Sequence, residues 1–125
     1  MAVQSFENSY YRLLGTTPSD SGAVFRVALL PDCEVYRGHF PGHPVCPGVC
    51  NVELIRRCAE RFVGQRLHIH TISQCRFTAI ASPDLSPEVD VSLSATPASG
   101  KWQVVARVSS GGCVYVEYKG EMLPY

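Results

Sequence analysis

The stretch VCNVELIRRCAERFV, residues 49–63, decides the fold because its apolar residues recur with the period of an α-helix. At 100° per residue one side carries Val52, Leu54, Ile55, Cys58, Ala59, Phe62 and Val63. The opposite side carries Glu53, Arg56, Arg57, Glu60 and Arg61. Gly64 follows, and glycine readily adopts the left-handed conformation that closes a helix. The stretch therefore predicts one amphipathic helix.

The segments around this helix alternate with the period of β-strands. One strand is predicted before it, over residues 23–30, and four after it, over residues 67–79, 89–95, 102–108 and 114–118. Turn-forming residues separate the later strands, in residues 82–84, 97–100 and 109–112. Short turns join antiparallel neighbours. The pattern predicts an α+β domain in which a single helix covers one antiparallel sheet of about five strands.

The N-terminal segment, residues 1–20, shows a weaker signal. Phe6, Tyr10, Leu13 and Leu14 follow helical spacing, and Gly15 and Pro18 would stop a helix. We therefore expect a short N-terminal helix.

Composition excludes several classes of protein. The 125 residues suit a single domain, 1–125, and 46% apolar against 18% charged residues argues against disorder. Eleven basic residues balance eleven acidic ones, so we expect no nucleic-acid or membrane partner. No apolar run is long enough to span a bilayer, and the N-terminus lacks the pattern of a signal peptide. We predict a cytoplasmic protein.

Six cysteines raise the question of disulfides or metal. Without a C-x-x-C pair or a secretory context, we expect all six to be free and to behave as small buried hydrophobic residues. A zinc set of His39, His43, Cys46 and Cys50 is conceivable. Because intervening prolines forbid a helix there, the ligands would have to converge from an extended loop, and we predict no metal.

Glycine and proline are concentrated before the helix. Of 10 glycines and 9 prolines, six fall in residues 38–48: Gly38, Pro41, Gly42, Pro44, Pro47 and Gly48. The prolines stiffen this loop, which holds side chains at little entropic cost. At the helix start, unpaired N–H groups and the helix dipole could stabilise an oxyanion near Gly48. His39 lies in the same loop, and histidine suits general base catalysis.

The run GHFPGHPVCPGV, residues 38–49, with Glu53 four residues on, resembles the active-site motif of bacterial 3-hydroxyacyl-acyl carrier protein dehydratases. These are hot-dog-fold enzymes of fatty acid synthesis, in which the sheet wraps around the helix. The order of elements extends the resemblance over residues 20–122. It implies a 3-hydroxyacyl thioester carried on phosphopantetheine as substrate, a trans-2-enoyl thioester as product, and no metal or redox cofactor.

The resemblance also implies roles for single residues. His39 would remove the proton α to the thioester carbonyl, and the Gly48 N–H, with Val49 beside it, would bind the carbonyl oxygen. Glu53, protonated, would deliver a proton to the leaving hydroxyl. Further substrate-binding positions would be Phe40, Pro41, Gly42, Val49 and Arg57. In the family, His39 of one subunit faces Glu53 of the other, which implies a homodimer or a trimer of dimers.

One position departs from the family. Arg57 stands where the family helix commonly carries glutamine, and as the i+4 neighbour of Glu53 it would lower the pKa of that carboxyl. Glu53 could therefore belong to a solvated charged face instead. Arginines could alternatively dock an acidic acyl carrier protein, namely Arg37, Arg56, Arg57, Arg61 and Arg66. Three functions stay open: a dehydratase, a hot-dog thioesterase, and a non-catalytic subunit that pairs with an active relative.

Overall fold

Six antiparallel strands form one sheet, in the order β1-β2-β4-β5-β6-β3, with one α-helix in the described part of the chain. The computed structural model describes residues 6–36 and 46–125. The elements are β1 (Tyr11–Pro18), β2 (Gly22–Leu29), a 3-10 turn (Glu34–Tyr36), α1 (Gly48–Val63), β3 (Leu67–Phe77), β4 (Glu88–Ala98), β5 (Lys101–Ser110) and β6 (Cys113–Pro124).

The helix occupies the predicted position and packs on the sheet. It contacts β2, β3, β4 and β5. It ends at Gly64, which has φ 82° and donates its N–H to the Glu60 carbonyl at 2.8 Å. Within residues 6–36 and 46–125, no helix has the length and apolar character that crossing a membrane requires.

Two of the three predicted turns after the helix are confirmed as hairpins, those between β4 and β5 and between β5 and β6. The third prediction is wrong: residues 82–84 do not join antiparallel neighbours, because β6 lies beside β3 and β4 pairs with β2. Ser99 and Gly100, between β4 and β5, have φ of 55° and 76°, and Gly111 and Gly112, between β5 and β6, have φ of 55° and 84°. Two successive residues with positive φ form the tight turn whose twist matches antiparallel strands. Because glycine adopts positive φ without steric cost, the sequence signal at these turns is direct.

The expected N-terminal helix is wrong: residues 11–18 form β1, the sixth strand of the sheet. β1 pairs with β2 from Tyr11 opposite Leu29 to Pro18 opposite Ala23. Asn8 has φ 68°, a left-handed conformation that a continuous α-helix cannot accommodate. Phe6 and Tyr10 are buried, so their helical spacing reflects packing against the core and not a helix.

The core lies between the helix and the facing side of the sheet. The predicted inward positions of β4 and β5 are buried: Val89, Val91, Leu93, Ala95, Val104, Ala106 and Val108. Strand β3 differs, since Phe77, which the alternation of this strand placed on the inward face, is 55% exposed. Among the described strands β3 lies at the edge of the sheet and pairs with β6, and its register shifts twice, between Ile69 and Thr71 and between Ile72 and Gln74. Such irregularities disrupt the alternation on which the prediction for β3 depended.

All six cysteines are free, as predicted, but they do not share one environment. Cys33, Cys46, Cys50 and Cys58 are buried, whereas Cys75 is half-buried and Cys113 is exposed. Cys113 is exposed because it directly follows the turn at Gly111 and Gly112.

Candidate active site

Part of the predicted site is described, from Cys46 onward. It includes Gly48, Val49, Glu53 and Arg57, all on α1. The remaining predicted site residues lie outside the described residues; these are His39, Phe40, Pro41 and Gly42. His43 and Arg37 lie outside them as well. Their roles stay predictions.

The first turn of α1 has no side-chain cap. Pro47 is the N-cap residue, in an extended conformation (φ −63°, ψ 143°), and its carbonyl accepts the N–H groups of Cys50 at 3.0 Å and Asn51 at 3.2 Å. The amides of Gly48 and Val49 precede these, and the first amides of a helix have no acceptor within it. Val49 is 76% exposed. The positive end of the helix therefore presents N–H groups that a partly negative oxygen can bind.

The ring of Phe77 lies against the backbone of Gly48. A Cβ atom added at Gly48 would lie 2.8 Å from Cζ of this ring and 3.1 Å from Cε1. Only glycine allows this approach without displacement of the ring. The alternation of β3 predicted an inward position for Phe77 and did not predict that it lies at the start of α1. The sequence around residue 77 contains no signal for a contact with Gly48.

Buried polar contacts support the first turn from beneath. The Tyr10 hydroxyl donates to Asn51 Oδ1 at 3.1 Å, and both residues are buried. The Tyr36 hydroxyl lies 3.5 Å from Cys46 Sγ, and the Cys46 N–H donates to the Ala81 carbonyl at 2.8 Å. Burial raises the pKa of the Tyr10 hydroxyl well above its usual value, so this group stays a neutral donor. These contacts fix the turn that carries Gly48.

Glu53 is held by two arginines. Arg56 donates from Nε to Oε1 at 2.8 Å and from Nη2 to Oε2 at 2.6 Å. Arg57 donates from Nε to Oε2 at 2.8 Å. The predicted contact of Arg57 with Glu53 is present, while Arg56 makes the two-point contact that the sequence reading did not anticipate.

Arg56 also links the helix to β3. Its Nη1 donates to Glu60 Oε2 and to the Leu67 carbonyl, each at 2.8 Å. The same Glu60 oxygen accepts the Leu67 N–H at 2.8 Å. A closed set of hydrogen bonds therefore connects Glu53 to the first residue of β3.

This cluster is not a solvated charged face. The side chains of Arg56 and Arg57 are 14% and 16% exposed, and that of Glu53 is 27% exposed. Burial by itself would raise the pKa of the Glu53 carboxyl, but the hydrogen bonds and charges of Arg56 and Arg57 outweigh burial and hold this pKa below its ordinary value. Glu53 is therefore ionised at neutral pH, the form opposite to the proton donor expected by resemblance.

The arginines at the C-terminal end of α1 are more accessible. Arg61 is half exposed and pairs with Glu7 at 3.0 Å, and the Arg66 guanidinium lies 5.0 Å from the centre of the Tyr125 ring. Both border an open cavity of about 330 Å³, which is lined by Glu7, Arg57, Glu60, Arg61, Gly64, Gln65 and Arg66. This surface offers cationic groups to a ligand, unlike the enclosed Arg56.

Comparison with protein families and curated proteins agrees with the motif. A family model described as ApeI-like, ApeI dehydratase, matches residues 16–114. The 3-hydroxyacyl-[acyl-carrier-protein] dehydratase FabZ of Levilactobacillus brevis is 35% identical over 57 residues, which cover 40% of this chain and 38% of that protein. The FabZ of Fusobacterium nucleatum is 34% identical over 55 residues, covering 40% and 39%. The chain thus spans about two fifths of the length of these curated relatives.

Comparison with solved structures supports the fold. A chain of the dehydratase heterocomplex ApeI:P from Xenorhabdus doucetiae superposes with a TM-score of 0.75 at 16% identity, covering 90% of this chain and 96% of that one. A conserved protein from Pseudomonas aeruginosa gives a TM-score of 0.66 at 11% identity, covering 94% and 90%. The predicted hot-dog fold, α+β with the sheet around one helix, is confirmed, with six strands in place of about five.

Proposed function

Since the chain belongs to the ApeI-like dehydratase family, we propose that it removes water from a 3-hydroxyacyl thioester carried by an acyl carrier protein. The observation that carries this proposal is the uncapped first turn of α1, where Gly48 and Val49 follow Pro47 directly. A thioester carbonyl bound there would gain hydrogen bonds as negative charge develops on its oxygen.

The reaction would proceed at three positions. His39 would take the proton from the carbon α to the carbonyl, and the Gly48 N–H would stabilise the enolate-like oxygen, with Val49 beside it. The carbon–oxygen bond to the 3-hydroxyl would break as the double bond forms, and the hydroxyl would leave as water near Glu53 after taking up the proton that His39 removed. The loop residues Phe40, Pro41 and Gly42 would shape the entrance, and Arg57 would orient Glu53 through its bond to Oε2.

The proposed cofactor requirement follows from this chemistry. Acid–base elimination from a thioester needs neither a metal ion nor a redox group, and phosphopantetheine would arrive with the substrate. The thioester also activates the α proton through its own carbonyl, so the chain's task is to bind that oxygen and to move protons.

The proposed partners are an acidic acyl carrier protein and a second hot-dog subunit. The Arg56 side chain is enclosed by its pairs with Glu53 and Glu60, so carrier docking would involve Arg61 and Arg66 at the open cavity, which Arg57 also lines. A homodimer, alone or in a trimer of dimers, would bring His39 of one subunit to Glu53 of the other.

A second candidate function is that of a partner-dependent subunit. The double arginine contact on Glu53 favours it, because a carboxylate so held is a poor proton donor. The structural relative from Xenorhabdus doucetiae is described as a dehydratase heterocomplex, which makes a chain of different sequence the natural partner for this case.

The test is to incubate the purified chain with a carrier-bound 3-hydroxyacyl thioester and follow both products. Enoyl thioester, detected by its ultraviolet absorbance, would support the dehydratase. Free thiol without enoyl product would identify a thioesterase. Activity that appears only after a second hot-dog chain is added would support the partner-dependent subunit, and absence of either product in every combination would refute the proposal.

A further inference from the structure

We infer that Arg56 is a positioning residue that keeps Glu53 a carboxylate throughout the reaction, so that the proton delivered to the leaving hydroxyl comes from a group other than Glu53. This inference rests on the proposed dehydration, and it names the charge state and role of one residue of that site.

The geometry leaves Arg56 no freedom to release Glu53. Its three nitrogens are all engaged, Nε and Nη2 by the two oxygens of Glu53 and Nη1 by Glu60 and the Leu67 carbonyl. Rotation of the guanidinium would leave these acceptors without their donor in a setting where the Arg56 side chain is only 14% exposed. Breaking an ion pair that is largely buried leaves charges without a partner, and this destabilises the folded chain.

Charged and titratable groups surround Glu53 from several elements, and the two positive charges among them, Arg56 and Arg57, favour its ionised form. On α1 they are Arg56, Arg57 and the neutral thiol of Cys50, with Glu60 on the far side of Arg56. β3 contributes the Leu67 carbonyl, which Arg56 contacts. The N-terminal segment contributes Glu7 and the Phe6 ring, which lie beside Arg57, and the C-terminus contributes Tyr125 near Arg56. Arg56 thus bridges the carboxylates of Glu53 and Glu60, and Arg57 adds a second positive charge beside Glu53.

Protonation of Glu53 would remove one of these two negative charges. Arg56 would then lose both charged acceptors on Glu53 while it keeps its ion pair with Glu60, and Arg57 would lose the charged Oε2 as its acceptor. Both the hydrogen bonds and the positive charges around Glu53 therefore disfavour its protonated form, and the groups that provide them lie on α1 and β3.

The elimination balances without a proton from Glu53. His39 takes the α proton and becomes an imidazolium; the electrons of the broken carbon–hydrogen bond form the double bond, and the carbon–oxygen bond breaks. The imidazolium then gives its proton to the departing oxygen, which leaves as water and returns His39 to its neutral form. Glu53 would accept a hydrogen bond from the substrate hydroxyl and so orient it.

The decisive measurement is a carbon-13 NMR titration of the Glu53 side-chain carboxyl in the full chain. Wild type should titrate below the range of an ordinary glutamate, and Arg56→Gln should raise the midpoint by about one pH unit or more, a tenfold change in proton affinity. Arg61→Gln is the matched control, because Arg61 lies on the same helix but pairs with Glu7, and it should leave the midpoint unchanged. A wild-type midpoint in or above the ordinary range would overturn the inference.

Arg56→Lys guards against an Arg56→Gln chain that does not fold. Lysine keeps the charge and loses the two-point contact, so the midpoint should rise by less than in Arg56→Gln. If neither variant moves the midpoint, Arg56 does not set the charge of Glu53.

Activity supplies the second readout. If Glu53 only accepts a hydrogen bond, Glu53→Gln should lower kcat by about tenfold, whereas loss of a proton donor costs about a hundredfold to ten-thousandfold. A loss in that upper range, with an alkaline limb of the pH–rate profile that shifts in Arg56→Lys, would make Glu53 the donor. If wild type is inactive in every combination, the proposed function fails, and the titration still decides the role of Arg56.

Discussion

Arg56 and Glu53 form a two-point ion pair on one face of α1, with Nε 2.8 Å from Oε1 and Nη2 2.6 Å from Oε2. The pair lies three residues apart on the helix, and Arg57 adds a third hydrogen bond one residue on. A charge-assisted contact of this shape gives both energy and orientation, because the planar guanidinium matches the carboxylate. The protonation state of Glu53 therefore affects the stability of the fold.

The first prediction concerns acid stability. The pKa of Glu53 is lowered in the folded chain, so the ion pair stabilises the fold at neutral pH and this stabilisation is lost as pH falls through the folded-state pKa. Glu53→Gln should lower the free energy of unfolding by about 1–3 kcal/mol at pH 7. Urea unfolding at neutral and acidic pH should show this difference shrinking as pH falls. A difference that stays constant with pH would contradict a lowered pKa of Glu53 in the folded chain.

The second prediction concerns the buried support of the first turn. Tyr10→Phe should destabilise the fold by about 1–3 kcal/mol, because Asn51 loses its donor in a buried setting. Tyr11→Phe is the control, since its hydroxyl reaches Glu7 only at 3.4 Å, and it should cost under about 1 kcal/mol. Equal losses in urea unfolding would show that the contact between Tyr10 and Asn51 is not special.

The third prediction concerns the close approach at Gly48. Gly48→Ala should reduce dehydration about tenfold or more, because its methyl group meets the Phe77 ring and shifts either the ring or the first turn. Adding Phe77→Leu should restore part of the rate by making room. Gly15→Ala, where a Cβ meets nothing within 4 Å, should leave the rate unchanged. Full activity in Gly48→Ala would show that the reaction does not require glycine at position 48.

The fourth prediction separates the thiols. In the folded chain Cys113 should react first with a thiol reagent at pH 8, because it is exposed. Burial raises the pKa of Cys50 to about 11 and that of Cys58 to about 12, so these should react only on unfolding. Cys113→Ser should abolish the fast phase, and a fast phase that survives would place the reactive thiol elsewhere.

The fold could be predicted where the signal was local. The helix over residues 49–63 and the hairpins with Ser99–Gly100 and Gly111–Gly112 follow from periodicity and turn residues that neighbour each other in sequence. β1 could not be predicted in this way, because its strand character comes from pairing with β2 and the spacing of Phe6, Tyr10 and Leu13 mimics a helix. Tertiary context overrode a weak local pattern.

The same distinction holds for the site: contacts between residues close in sequence could be predicted, and contacts between distant elements could not. The motif and its resemblance singled out Gly48 and Glu53, and the spacing of four residues predicted the contact of Arg57 with Glu53. The stronger contact from Arg56 depends on its simultaneous bond to the Leu67 carbonyl, eleven residues away on β3. Likewise Tyr10 meets Asn51 across 41 residues, a distance in sequence that no local pattern encodes.

The most direct test of the central claim is complementation between two inactive variants. The claim is that His39 and Glu53 act on one carrier-bound thioester, each from a different subunit. His39→Ala and Glu53→Ala chains, assayed separately for enoyl thioester, should each lose most of the activity. After the two are unfolded together and refolded, the mixture should regain up to about a quarter of the wild-type rate, since mixed dimers hold one intact site each. A mixture that stays at background, or an active His39→Ala chain, would contradict the account.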